Sequence, residues 1–302
     1  MKIVIVGLPY FAAKIAQELS EVDKKNLYVA IDTSAGVWQK LRFVWHIISA
    51  KVLYFIGGQP YSGKVLWLTR LLKKKVVMHW VGTDVLNAQK LYKSGALSSE
   101  LLSKTQHFCE VDWVQKELLE IGIQAEMVQI ASFPDSASVP PPLPEKFSIL
   151  FYMGEGREHF YGIDKLIELA KAFPAIPINI VGASKSSVVL PSNIHLLGWI
   201  QDMDKAYRDS VLVLRFPEHD GLSFSVLEAL SYGRYVGYIY NFYGTNHIPG
   251  VREAHALIKS LLDLHSAGSL GINIGGYEFI LKNYRRDLVM RILAEKLQGT
   301  ML

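Results

Sequence analysis

The chain carries one cysteine, Cys109, among its 302 residues. That excludes an intrachain disulfide and any zinc cluster built on several thiolates, and it points to a reducing, cytoplasmic setting. Long apolar runs are also missing. No stretch reaches the roughly eighteen residues that a bilayer-spanning helix needs. The net charge is only +4 at pH 7, which permits contact with phosphates or an anionic surface without specifying nucleic acid, and no nucleic-acid partner is expected. Acidic clusters of the metal-binding kind are absent too. The "DMD" at 202–204 follows "GWIQ" and reads as the opening of a helix around Tyr207, so no essential metal is expected. The N-terminal "MKIVIVGLPYF" has one lysine and a five-residue apolar run before Gly7 and Pro9. It reads as a first strand rather than a signal peptide.

One further absence decides a motif. "GGQPYSGKV", residues 57–65, has the G-x-x-x-x-G-K spacing of a phosphate-binding loop directly after the apolar run "KVLYFI". A P-loop needs a hydroxyl after the lysine to ligate Mg²⁺, and Val65 stands there. Pro60 and Tyr61 also crowd a loop that works through backbone N–H groups. The expectation is an ordinary turn, with Gly57 and Gly58 closing a strand and Ser62 capping the next helix.

What is present is a repeated grammar. Half of the residues are hydrophobic and 20% are charged, enough apolar material for two cores of ordinary size. Short β-branched runs alternate with longer helical patterns: "KIVIVG" before "YFAAKIAQELSEV", "NLYVAID" before "GVWQKLRFVWHII", "KVLYFIGG" before "GKVLWLTRLLKK". Strands joined through helices read as a parallel sheet covered on both faces. The stretch Ser132 to Lys146 then has five prolines and no periodicity, as a linker would. The grammar restarts with "FSILFYMG" and closes on two helical stretches, "VREAHALIKSLLDLHSAG" and "YEFILKNYRRDLVMRILAEKL". The expected organisation is an α/β chain of two facing Rossmann-like domains, residues 1–135 and 145–280, joined by a linker at 136–144. A C-terminal helix at 281–302 is a candidate to cross back to the first domain. Such a fold gathers ligands in a cleft at the carboxyl ends of its strands.

The most informative segment is "VLVLRFPEHDGLSFSVLEALSYGRYVG", Val211 to Gly237. A strand ending at Phe216 leads through a polar loop into a helix that begins near Ser223. Backbone N–H groups at Gly221, Leu222 and Ser223 favour negative charge, as helix N-termini do for phosphates. Asp220 and Glu228 are acceptors suited to the hydroxyls of sugars and riboses. Here the sequence resembles the retaining glycosyltransferases of GT-B fold, in particular glycosyltransferase family 4. That family shows E-G-F-G-L-x-x-x-E-A-M-x-x-G-x-P-V where this chain has "DGLSFSVLEALSYGRYVG". The resemblance implies transfer of a sugar from a nucleotide-sugar donor, UDP- or GDP-linked, to a glycan, a lipid-linked or a small-molecule acceptor. It places Glu228 on the ribose, Asp220 on the donor sugar, and the amides near Leu222 and Ser223 on the diphosphate. In the first half, "KVVMHWVGTDV" resembles the family's H-G-x-D segment and puts His79 beside the transferred sugar, while Gly7 stands where the family has a phosphate-facing glycine loop.

The chain also departs from the family. After the strand that ends at Gly154, the family has an arginine and a lysine that neutralise diphosphate; here Glu155 and Tyr161 take those places. Arg157 and Arg215 are the candidates to supply the missing charge. Two other accounts stay open: a catalytically weak relative that binds nucleotide or glycan as a partner subunit, and a nucleotide-sugar epimerase of the same two-domain build. On the acceptor side, Trp38, Arg42 and Trp45 share one helical pattern, and Trp67, Arg70 and Lys73 to Lys75 another. Aromatic and basic residues together suit peripheral contact with an anionic membrane, at its cytoplasmic face; the alternative is that the tryptophans pack beneath their helices.

Overall fold

Buried parallel strands need apolar side chains on both faces, and the short Val-, Ile- and Leu-rich runs supply them. In the computed structural model they form two sheets in which every strand pair is parallel. The structure describes residues 1–57, 64–97, 103–133 and 139–299. The turn that resembles a P-loop, with Gly58, Pro60, Tyr61, Ser62 and Gly63, lies outside the described residues, as does the 134–138 part of the proline-containing segment. The chain divides into two units. The first comprises Met1–Asp135, Asp220–Leu222 and Tyr284–Leu302, and the second Ser136–His219 and Ser223–Asn283.

In the first unit the strands are β1 (Lys2–Gly7), β2 (Leu27–Ala30), β3 (Val52–Ile56), β4 (Lys75–Trp80), β5 (Gln106–Cys109) and β6 (Ala125–Met127). Their order across the sheet is β2-β1-β3-β4-β5-β6. The helices α1 (Pro9–Val22), α2 (Val37–Ser49), α3 (Lys64–Leu71), α4 (Thr83–Lys93) and α5 (Asp112–Glu120) alternate with them. One face of this sheet packs on Ala12, Ile15 and Leu19 of α1. The other packs on Phe43 and Ile47 of α2 and Leu66 of α3. No side chain fits at Gly7: its φ is +113°, and a Cβ there would lie 1.9 Å from the Ile56 carbonyl oxygen.

The second unit repeats the plan with β7 (Ile149–Tyr152), β8 (Ile178–Val181), β9 (Ile194–Gly198), β10 (Leu212–Arg215), β11 (Tyr235–Tyr238) and β12 (Asn246–His247), in the order β12-β11-β10-β7-β8-β9. Its helices are α6 (Ile163–Ala172), α7 (Asp204–Arg208), α8 (Phe224–Ser231), α9 (Val251–Ser266) and α10 (Ile274–Asn283). The chain runs outward from β7 through β8 to β9, then returns to place β10 on the other side of β7. That reversal is a switch point, where loops diverge and leave room for a ligand. Within this unit the buried Arg234 donates through Nη2 to the carbonyls of Pro141 (2.7 Å) and Pro142 (3.0 Å), which fastens the proline-rich segment.

The last helix, α11 (Arg286–Gln298), belongs to the first unit. Val289, Met290, Leu293 and Leu297 enter the core around α1. The buried Glu18 accepts a hydrogen bond from Ser132 Oγ (2.7 Å) and pairs with Arg286 (3.4 Å). Sequence periodicity alone runs helically through 277–297, yet the helix breaks at Tyr284 and Arg285. Phe133 brackets that break: its N–H donates to the Tyr284 carbonyl and its carbonyl accepts from Arg286 N–H, both at 2.8 Å. A continuous helix has those backbone groups committed internally, so the bridge and the helix exclude each other. No described helix is long and apolar enough to cross a membrane.

Leu293 is fully buried. Leu293→Ala is expected to destabilise the first unit by about 2–5 kcal/mol, read by urea unfolding. A loss near zero would show that α11 adds nothing to that core.

Candidate functional site

The switch point of the second unit brings the ends of β7, β8 and β10 to one edge. Gly154 follows β7, and a Cβ there would meet the Tyr161 ring at 3.1 Å. Tyr161 also stands edge to face with Tyr152, ring centroids 5.5 Å apart. Arg215, the last residue of β10, is buried, with its guanidinium 5.5 Å from the Tyr152 ring and 5.4 Å from the Tyr161 ring. Arg157, exposed, stacks over Phe160 at 4.1 Å and lies 5.7 Å from the same Tyr161 ring. Tyr161 therefore gathers two arginines. Such ring contacts each contribute on the order of 0.5–2 kcal/mol.

Glu155 lies on the same edge. It accepts hydrogen bonds from Ser184 Oγ (3.0 Å) and Ser184 N–H (3.4 Å), and pairs with Lys185 at 3.3 Å. The serine hydroxyl first, then Lys185, holds its carboxyl below the usual range, so it stays ionised. Lys185 is thereby balanced by a carboxylate of its own.

Ser223 occupies the N-cap position of α8 in extended conformation (φ −74°, ψ 124°), but its side chain makes no capping bond to the helix, and its hydroxyl meets that of Ser225 at 2.9 Å. One turn further on, Glu228 is half-buried and accepts a hydrogen bond from the buried Tyr207 hydroxyl at 2.7 Å. Burial first, then the Glu228 carboxylate, pushes that hydroxyl well above its ordinary pKa, with Arg215's charge offsetting part of the effect. Tyr207 remains a neutral donor, and it orients Glu228. Asp220, Gly221 and Leu222 precede α8 in the chain and are grouped with the first unit, Asp220 being half-buried. Tyr152 and Tyr207 had no role in the sequence reading. The signal was faint: an aromatic at the end of β7, and a tyrosine on a helix of five residues.

In the first unit, His79 is wholly buried on β4, its Nδ1 2.7 Å from the Tyr54 hydroxyl and its ring edge-on to Phe108. Burial lowers its pKa to about 3, so the imidazole is neutral at any working pH. Asp84 accepts hydrogen bonds from the N–H groups of Val81 (3.1 Å), Gly82 (2.8 Å) and Val85 (3.1 Å) at the start of α4, yet burial raises its pKa to about 6. Glu110, after β5, accepts from Ile130 N–H (3.0 Å) and Ala131 N–H (3.1 Å), and burial raises it to about 7. Among the described residues no group of three His, Cys, Asp or Glu side chains is arranged to hold a metal ion.

No family model matches the chain, and no curated protein is similar to it at a significant level. Solved structures do resemble it. Anabaena HepE, in complex with UDP and glucose, is 12% identical over 99% of this chain and 100% of that one, with a TM-score of 0.73. The sucrose-phosphate synthase of Thermosynechococcus elongatus is 11% identical over 99% of both chains, with a TM-score of 0.76. The shared feature is the GT-B fold. A Staphylococcus aureus TarM variant, in complex with fondaparinux, alpha-GlcNAc-glycerol and UDP, gives a TM-score of 0.61 at 14% identity over 81% of this chain. This chain spans only 55% of that one.

Glu110 supplies a pH test. The folded carboxyl titrates near 7 against an ordinary 4.5, so the folded form holds a proton that the unfolded form has lost. Its contribution to stability is complete below pH 4.5 and fades as pH rises through 7, by on the order of 3 kcal/mol. Asp84 acts in the same sense; His79, lowered from 6.5, gives the opposite slope below that pH. Comparison of Glu110→Gln with wild type isolates one group. The variant's Tm should fall less between pH 5 and 8; parallel curves would show that Glu110 is not protonated in the fold.

Proposed function

We propose that this chain is a metal-independent, retaining glycosyltransferase of the family 4 kind, taking a hexosyl group from a nucleoside diphosphate sugar. The observation that carries the reading is the second unit's switch point, where Glu228 is oriented by Tyr207 and Arg215 is buried against two tyrosine rings. In this reading Glu228 accepts hydrogen bonds from the ribose hydroxyls. The first-turn amides of α8, with those of Gly221, Leu222 and Ser223, receive the diphosphate. Asp220 holds hydroxyls of the donor sugar. Gly154 keeps the second unit's backbone close to the phosphates, while in the first unit Gly7 leaves no room for a side chain and His79, neutral and packed, holds its place on β4. UDP in the HepE and TarM structures supports a uridine donor.

Retention follows when the acceptor hydroxyl attacks the anomeric carbon on the face from which the diphosphate departs. The new C–O bond forms as the sugar–phosphate bond breaks, and a phosphate oxygen takes the hydroxyl proton. The protein then needs position and positive charge more than a strong base. Arg215, assisted by Arg157, supplies that charge in place of Glu155 and Tyr161. The acceptor is a glycan, a lipid-linked or a small hydroxyl compound, and the reaction belongs to a reducing, cytoplasmic compartment. A second reading, a donor-binding subunit without turnover, is favoured by one feature: Glu155 takes an expected arginine's place and pairs with Lys185. Donor hydrolysis separates the two readings.

Calorimetry against a panel of nucleoside diphosphates should find one that binds at micromolar level, and Glu228→Ala should weaken it at least about tenfold, since a charged hydrogen-bond partner is lost. Equal affinities would remove the ribose assignment. Sugar transfer should survive exhaustive EDTA treatment; loss of activity restored by Mg²⁺ or Mn²⁺ would overturn metal independence. Arg215→Ala should lower kcat by roughly 10²-fold with less change in donor KM, and Arg215→Lys should recover only part. If kcat/KM stays near wild type in a folded Arg215→Ala variant, the arginine serves packing.

A further inference from the structure

We infer that the outer side of α2 and α3 docks on an anionic lipid surface. Phe43 and Ile47 face α2 into the core. On the other side, Val37, Trp38, Leu41, Trp45 and Ile48 form an exposed stripe at helical spacing, with Trp38 83% and Trp45 75% exposed. Ordinary burial would have covered such rings, so this helix is apolar on two sides. α3 repeats the arrangement: Leu66 is buried, and Trp67 (65% exposed) and Leu71 lie outward. The two helices share one core layer, and Lys74 Nζ donates to the Ile48 carbonyl at 2.7 Å, which ties their ends together. Their outward sides therefore lie on the same side of the sheet. Soluble surfaces rarely carry large apolar patches unless something covers them.

Charge selects the occupant. Residues 33–83 contain no aspartate or glutamate and eight lysines and arginines, a local charge of +8; the whole chain carries +4, so the remainder carries −4 (4 − 8). Lys40, Arg42, Lys51 and Lys73 in this segment are exposed, around the tryptophan stripe. Two copies of such a face would set like charges against each other, whereas an anionic bilayer attracts every one of them. Tryptophan rings seat at headgroup depth while basic side chains reach the phosphates, and α2, about 20 Å long, lies in the interfacial plane rather than across it.

Flotation with vesicles of equal parts phosphatidylcholine and phosphatidylglycerol, against phosphatidylcholine alone, tests this. The full chain should bind the anionic vesicles at least about tenfold more tightly, with a blue shift of tryptophan emission and weakening in high salt. Trp38→Ala with Trp45→Ala, and separately Lys40→Glu with Arg42→Glu, should each lower binding about tenfold or more. All four side chains are exposed, so folding is expected to persist, and circular dichroism checks it. Absence of anionic-vesicle binding by wild type, or unchanged binding in both folded variants, overturns the inference. A dimer that the tryptophan pair abolishes while vesicles leave the protein unbound overturns it in favour of self-association. Equal retention on polyglutamate and on vesicles overturns it in favour of an acidic protein partner. The assay needs no sugar donor, so it stands or falls separately from the proposed transfer.

Discussion

Everything in this molecule follows from parallel strand pairing. A parallel strand cannot return by a hairpin; it needs a crossover, and the crossover helix covers the sheet. Each sheet is therefore buried on both faces, and every turn from strand to following helix emerges at the same edge. Arg215, Gly154 and Glu155 are neighbours because β10 and β7 are paired and both end there. No local preference of those residues brings them together.

At that edge the second unit manages positive charge in an unusual way. Glu155 and Lys185 cancel each other as an exposed pair, and such pairs add little to stability. Arg215 instead sits buried against aromatic faces, where the rings offset part of the cost of desolvation and hold the guanidinium still. Tyr161 lies near both guanidinium groups, 5.7 Å from that of Arg157 and 5.4 Å from that of Arg215.

The tryptophans show how far periodicity reaches. Trp80 is completely buried beside His107, while Trp38, Trp45 and Trp67 face outward. A helix with apolar residues on two sides gives a sequence reader no way to tell which side meets the sheet. The choice falls to Phe43 and Ile47 because the gap over β1 and β2 accepts them, and this leaves the indoles outside.

Sequence by itself determined the α/β class and the run of strands and helices. Strand length, crossover length and the period of apolar residues are local quantities, and two parallel sheets are their one consistent outcome. It also singled out the segment from Val211 to Gly237 as the candidate for ligand chemistry, because strand, loop and helix start are contiguous there. Only the tertiary structure decided which side chains meet. Tyr207 reaches Glu228 from another helix, Tyr161 stands under Arg215 from another loop, and Phe133 breaks a helix that periodicity would have continued. His79 shows the same division: its place at a strand end was legible, but its burial against Tyr54 depended on β3 lying alongside. These contacts join residues far apart in the chain, and a pattern of neighbours along the sequence carries no information about them until the sheet has set their register.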